Sequence, residues 1–183
     1  FYTNLAIWVG GIVLIAIFKL ESDKDEVVPK FTAVQSYFGR WMLYVVMGLI
    51  QSLIICVGDL LLLGVQCKSP AAFIFAGLFT SFVYVNIIYT FTVSFGDVGK
   101  AICVVLLVMQ VAGSGGTFPI EVAPEIFQKI YPFLPFTHSM TAMRECVAGF
   151  YQYTYWAELG IMCLFLLASL FLGLVLRKPV IRL

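Results

Sequence analysis

The chain has 183 residues, 62% of them hydrophobic and 11% charged, with a formal net charge of +1. A soluble domain is about half apolar and about a quarter charged, so this composition belongs in a lipid bilayer rather than in water. The near-zero charge leaves no electrostatic footprint for nucleic acid, and no fixed-period repeat or low-complexity tract is present.

The first residues, FYTNLAIWVGG, carry neither an initiator Met nor a basic stretch ahead of the apolar run, so they do not read as a signal peptide. Phe1 reads as a cut inside a longer protein. A bilayer-spanning helix needs about 20 apolar residues. Residues 2–18, 41–65, 71–95 and 156–176 meet that need, and 99–118 meets it if the helix runs on through the glycines after 112. The expected fold is therefore all-α: a polytopic bundle with five crossings, forming a single membrane domain.

The loops orient it. Lys19, Lys24, Lys30, Arg40, Lys100, Arg177, Lys178 and Arg182 fall on one side, against Lys68, Lys129 and Arg144 on the other. The basic side is cytoplasmic, which puts the start of the segment outside and Leu183 inside a multi-pass cell-membrane protein. Aromatic residues near the span ends, such as Tyr2, Trp41, Tyr153 and Trp156, form the interfacial belt expected of such a protein.

Between the first two spans, LESDKDEVVP is a mixed-charge connector. Residues 30–40 then space Phe31, Val34, Phe38 and Trp41 at helical intervals, with Arg40 beside them. This pattern fits a short amphipathic helix on the inner membrane surface, and equally an extension of the second span.

Four polar residues fall within spans. Asp59 is a functional candidate because an acid inside a bilayer is costly, or it bonds locally near the interface. Gln51, Asn86 and Gln110 are expected to bond between helices, the alternative being the lining of a transport path.

The segment GSGGTFPIEVAP interrupts the apolar pattern. Gly113, Gly115 and Gly116 weaken the helix, and Pro119 and Pro124 break it. EIFQKIYPFLP, with Pro132 and Pro135, is too short to span, and FTHSMTAMRECVAGF carries a helical pattern. Irregular backbone at membrane depth survives only when buried in protein or lining a cavity. Residues 119–150 are therefore expected to form a re-entrant helical hairpin on the outer side.

His138, the only histidine, has no partner at ligand spacing and reads as a packed residue. Adjacent on one helix, Arg144 and Glu145 cannot face each other, and Glu121, Glu125 and Glu158 are candidate partners for Arg144. The five cysteines lack metal spacing; Cys67 and Cys146 fall near the same face, where a disulfide is open. No phosphate loop, nucleophile elbow or HExxH is present, so no catalytic constellation, metal or cofactor is expected and the chain reads as a non-enzyme.

The stretch SGGTFPIEVAPEIFQKIYPFLPFTHSMTAMRECVAGF resembles the closing segment of the YhgE/Pip membrane proteins, or phage infection proteins, and more broadly the permease domain of type-2 ATP-binding-cassette exporters. The resemblance rests on Gly116, Phe118, Pro119, Pro124, Pro132, Pro135, Arg144, Glu145 and Gly149 ahead of the last span. It implies six spans and a large ectodomain in the whole protein, with this chain as the C-terminal membrane half. It also implies a homodimer, an ATPase partner or secretion-system partners, and a coupling helix at 30–40. The function it implies is partner-powered export across the cell membrane; the alternative is a membrane anchor for a surface receptor or secretion-complex scaffold.

Overall fold

A computed structural model describes the backbone of residues 1–18 and 33–180, and the side chains of 1–18 and 38–175. Seven α-helices follow in order: α1 (Tyr2–Ile17), α2 (Ala33–Leu61), α3 (Pro70–Phe95), α4 (Asp97–Gly113), α5 (Glu125–Ile130), α6 (Pro135–Ala148) and α7 (Gln152–Val180). Two 3-10 turns, Ile120–Val122 and Tyr131–Phe133, flank α5, and the described residues contain no strand.

Among the described residues, three helical stretches are long and apolar enough to cross a membrane: Phe38–Leu61, Pro70–Phe95 and Gln152–Val175. At 1.5 Å per residue, 24 residues reach about 36 Å, beyond the roughly 30 Å of a hydrocarbon core. The helices α1 and α4, of 16 and 17 residues, reach about 25 Å. The expected continuation of the fifth stretch to residue 118 does not occur. α4 stops at Gly113, where the Ser114 amide closes the last turn on Gln110, and Gly115 follows with φ +66°. That left-handed backbone carries no penalty at glycine and ends the helix five residues early.

α3 is the central element. In its most apolar stretch 61% of residues are buried, against 28% in α2 and 22% in α7. Around it pack α7, α2, α1, α4 and α6. Small residues allow the close approaches. A side chain at Gly77 would collide with Cys56 Sγ of α2, and Ser81 Oγ donates 2.8 Å to the Gly48 carbonyl. The corner from α3 to α4 is the single residue Gly96, at φ +59°. A Cβ on Gly99 would lie 2.0 Å from the Phe91 carbonyl oxygen, so the two helices meet backbone to backbone.

The aromatic core joins α1, α3 and α6. Trp8 meets Tyr84 edge-on at 4.8 Å, and Tyr84 stacks on Phe136 at 6.5 Å. The Tyr84 hydroxyl lies 2.5 Å from Ser139 Oγ, which itself donates to the Phe136 carbonyl. This packing holds α6 against the bundle with the Tyr84 and Ser139 hydroxyls satisfied.

Candidate functional site

The in-span polar residues end in three different environments. Asn86, fully buried on α3, accepts from Trp41 Nε1 of α2 at 2.9 Å and donates to Ser169 Oγ of α7. One amide thereby joins three helices. Gln51 is half-buried on α2, its amide occupying the space a Cβ on Gly10 of α1 would fill. Gln110 is fully buried on α4, and neither amide atom finds a partner among the described residues.

Asp59 stands apart from these. Near the end of α2, its carboxylate accepts from Thr3 Oγ1 of α1 at 2.5 Å. It opens into a cavity of about 460 Å³ bounded by α1, the end of α2, the start of α3 and the last turns of α6. Phe73, Met140 and Met143 supply apolar walls, and Arg144 contributes the opposite charge. A mostly apolar cleft with a few converging polar groups is the usual form of a small-molecule site.

The broken segment sits beside this cavity. A Cβ on Gly116 would strike the Phe1 ring, and Arg144 reaches back 3.3 Å to the Gly115 carbonyl. Glu145 accepts from the Tyr151 amide at 3.3 Å, bracing the turn at Gly149 and Phe150 into α7. Phe150 takes φ +58°, uncommon for a bulky residue. Pro135 and Pro70 occupy first helical turns, where a missing N–H costs nothing. Phe118 is exposed, Pro119 and Pro124 begin short helical turns, and Pro132 lies within the second 3-10 turn.

Two of the candidate partners of Arg144 pair elsewhere. Glu158 bonds His138, not Arg144: Nδ1 and Oε2 are 2.6 Å apart. Of the other acids considered, Glu125 lies 4.0 Å from Lys129 on the surface. The pair of His138 and Glu158 escapes sequence reading because 20 residues and a helix turn separate its members. A lone histidine on α6 and a lone acid in the second turn of α7 were the available signals. Cys67 and Cys146 do meet, as Sγ donates 3.0 Å to the Cys146 carbonyl, and both are free thiols. Burial above all, with Cys67 and Glu145 nearby, pushes the Cys146 thiol up to about 12.

The coupling candidates fall at the start of α2. Phe31 lies outside the described residues, and so do the connector and the side chain of Val34. From Ala33 the backbone continues without a break through Arg40 into the long apolar helix. Phe38 is partly exposed and packs edge-on against Trp41, which in turn packs on Phe82 of α3.

Residues 28–175 match the profile of the ABC-2 family transporter proteins. The chain is 31% identical over 160 residues to "Uncharacterized protein YhgE" of Bacillus subtilis (strain 168). That alignment covers 87% of this chain and 20% of the relative, so the chain spans about a fifth of that protein's length. No solved structure matches.

Proposed function

Because the chain belongs to the ABC-2 family of transporter proteins, we propose that it is a permease-type membrane domain taking part in export across the cell membrane. Its energy comes from a partner ATPase, since these 183 residues hold no nucleotide-binding motif. The family match across residues 28–175 carries this reading.

In this reading α1, α2, α3, α4 and α7 all cross, and α5 with α6 re-enters from the outer face. One arrangement supports it. Phe1, Asp59, Phe73 and Arg144 line one cavity, so α1, α2, α3 and α6 each bring one end to the same level. The α4 end joins them through Gly116 and Phe1. Helices alternating in direction from that level produce a five-span bundle. The basic loops then lie in the cytoplasm.

Mechanically, residues 30–40 and the inner end of α2 that follows form the coupling segment to the ATPase. Trp41 passes its displacement to Asn86, and Asn86 to α7 through Ser169. Two copies form the transporter, with α1, α4 and the hairpin near the axis, and the Asp59 cavity is an outer station on the path.

A second reading, a membrane anchor for a receptor or secretion scaffold, is favoured by the burial of Asn86 and Gln110 inside the single chain. Purifying the full-length protein from native membranes and identifying its companions separates the two. A stoichiometric ATPase supports export; secretion-system components, or no companion, overturn it in favour of the anchor.

A further inference from the structure

His138 stands between two oxygen acceptors. Its Nε2 lies 2.9 Å from the Pro132 carbonyl and its Nδ1 2.6 Å from Glu158 Oε2. A carbonyl oxygen only accepts, so Nε2 carries a hydrogen. A hydrogen must also lie between Nδ1 and the carboxylate, because two lone pairs do not approach to 2.6 Å. Imidazolium with carboxylate satisfies the geometry, and so does neutral imidazole with carboxylic acid. Both contain one proton more than imidazole plus carboxylate.

The three partners belong to different parts of the fold. Pro132 is in the 3-10 turn between α5 and α6, His138 is on α6, and Glu158 is on α7. We propose that His138 and Glu158 form a one-proton binding site whose occupancy fastens the bend of the α5–α6 hairpin to α7. With the proton gone, the neutral imidazole has one N–H for two acceptors, so the bond to either Glu158 or Pro132 is lost and the bend is no longer fastened to α7.

The surroundings favour such a site. The two side chains are 10% and 19% exposed, so the pair is largely shielded. The Phe165 ring lies 5.9 Å from the imidazole. Among the described residues no other charge competes. On α6 itself, Arg144 is spent on Gly115 and Glu145 on the Tyr151 amide. Asp97 and Lys100 of α4 pair with each other. The segments α1 and α3 contain no Asp, Glu, Lys or Arg, and the 3-10 turn brings only the phenol of Tyr131. On α7, Glu158 is the only charged residue whose side chain is described.

Burial by itself lowers the histidine's proton affinity, but the bonds to Glu158 and Pro132 and the Glu158 charge outweigh it. The result lies above the ordinary value of 6.5. A raised value means that the stabilisation is complete below 6.5 and is lost as pH rises through the folded value. The hairpin is fastened in acid and loosens in alkali. None of this depends on whether the domain exports or anchors.

The test uses the full-length protein in lipid nanodiscs, read by mass spectrometry. Deuterium uptake at the imidazole C2 reports His138 protonation, and amide exchange over 126–137, corrected for its intrinsic rate, reports the hairpin. We expect a His138 midpoint above 6.5. Hairpin protection should fall by up to about tenfold per pH unit between 6.5 and that midpoint, and level off above it. In Glu158→Gln, the new amide donates to neutral Nδ1. The hairpin should then stay protected at every pH, and the His138 midpoint should drop. In His138→Phe, protection should be low and pH-independent. A wild-type midpoint at or below 6.5, hairpin protection unmoved by pH, or an unchanged titration in Glu158→Gln would each overturn the proposal.

Discussion

Asn86 and Gln110 are both amides with no exposed surface, yet their energetics differ in sign. Asn86 satisfies Trp41 and Ser169, so Asn86→Ala removes two inter-helix bonds and leaves the indole N–H buried without its acceptor. Hydrogen bonds in membrane bundles contribute about 0.6 kcal/mol each, and an orphaned donor costs about 1–3 kcal/mol. Thermal unfolding in detergent should show Asn86→Ala destabilised by about 2 kcal/mol; a neutral result would remove Asn86 as the link between α2 and α7. Gln110 offers its amide to no described partner, so Gln110→Met, similar in volume and apolar, should be neutral or stabilising in the same assay. If Gln110→Met instead destabilises, the amide has a partner that a single chain does not contain. Both residues are legible in the sequence as polar interruptions of apolar runs. Their partners are not, since Asn86 and Ser169 lie 83 residues apart and nothing local links them. Arg144 teaches the same point: its nearest acceptor is a backbone carbonyl at Gly115, invisible to any search for opposite charge.

At the level of elements, hydrophobic runs located the three long helices because length and apolarity are local properties. Ends were less legible. Three glycines could mark either a weak helix or its termination, and the left-handed backbone at Gly115 decides for termination. Likewise Phe31, Val34, Phe38 and Trp41 share a face whether their helix is separate or continuous with α2, so periodicity alone could not distinguish the two. The α3–α4 corner was wholly unread, because its key feature is space. Gly99 faces the Phe91 carbonyl so closely that a methyl group would lie 2.0 Å from the oxygen. Backbone, unlike a long side chain, cannot rotate away. Gly99→Ala should therefore push α4 off α3 and cost about 1–3 kcal/mol, the range for overpacked sites. The companion Gly39→Ala, where nothing lies within 4 Å of the added carbon, should be silent. Equal melting temperatures for the two variants would show that the corner opens without cost.

At the scale of the whole molecule, one helix is wrapped and the others keep apolar faces outward. α3 has partners on most sides, whereas α2 exposes Met42, Ile50 and Ile54, and α7 exposes Leu164, Leu167 and Phe171. Faces of that kind suit lipid tails. The α1–α4 side is different. Trp8 Nε1 donates to the Cys103 carbonyl at 3.3 Å, and beside this contact Val9 and Val13 of α1 and Val104, Val105 and Val108 of α4 remain exposed. These β-branched residues are short and stiff, so they leave a smooth surface that a second copy can meet without losing rotamer freedom. Both helices are also too short to cross an undeformed bilayer on their own, and association is one response to that mismatch. We therefore expect two copies to pair through this face. In a Cys163→Ser background, which removes the one exposed native thiol, Val105→Cys should form an inter-copy disulfide when membranes are treated with a mild oxidant. Ile54→Cys, on the exposed face of α2, should not. Cross-linking at position 54 but not 105 would move the dimer axis to α2, and cross-linking at neither would leave the α1–α4 face to lipid.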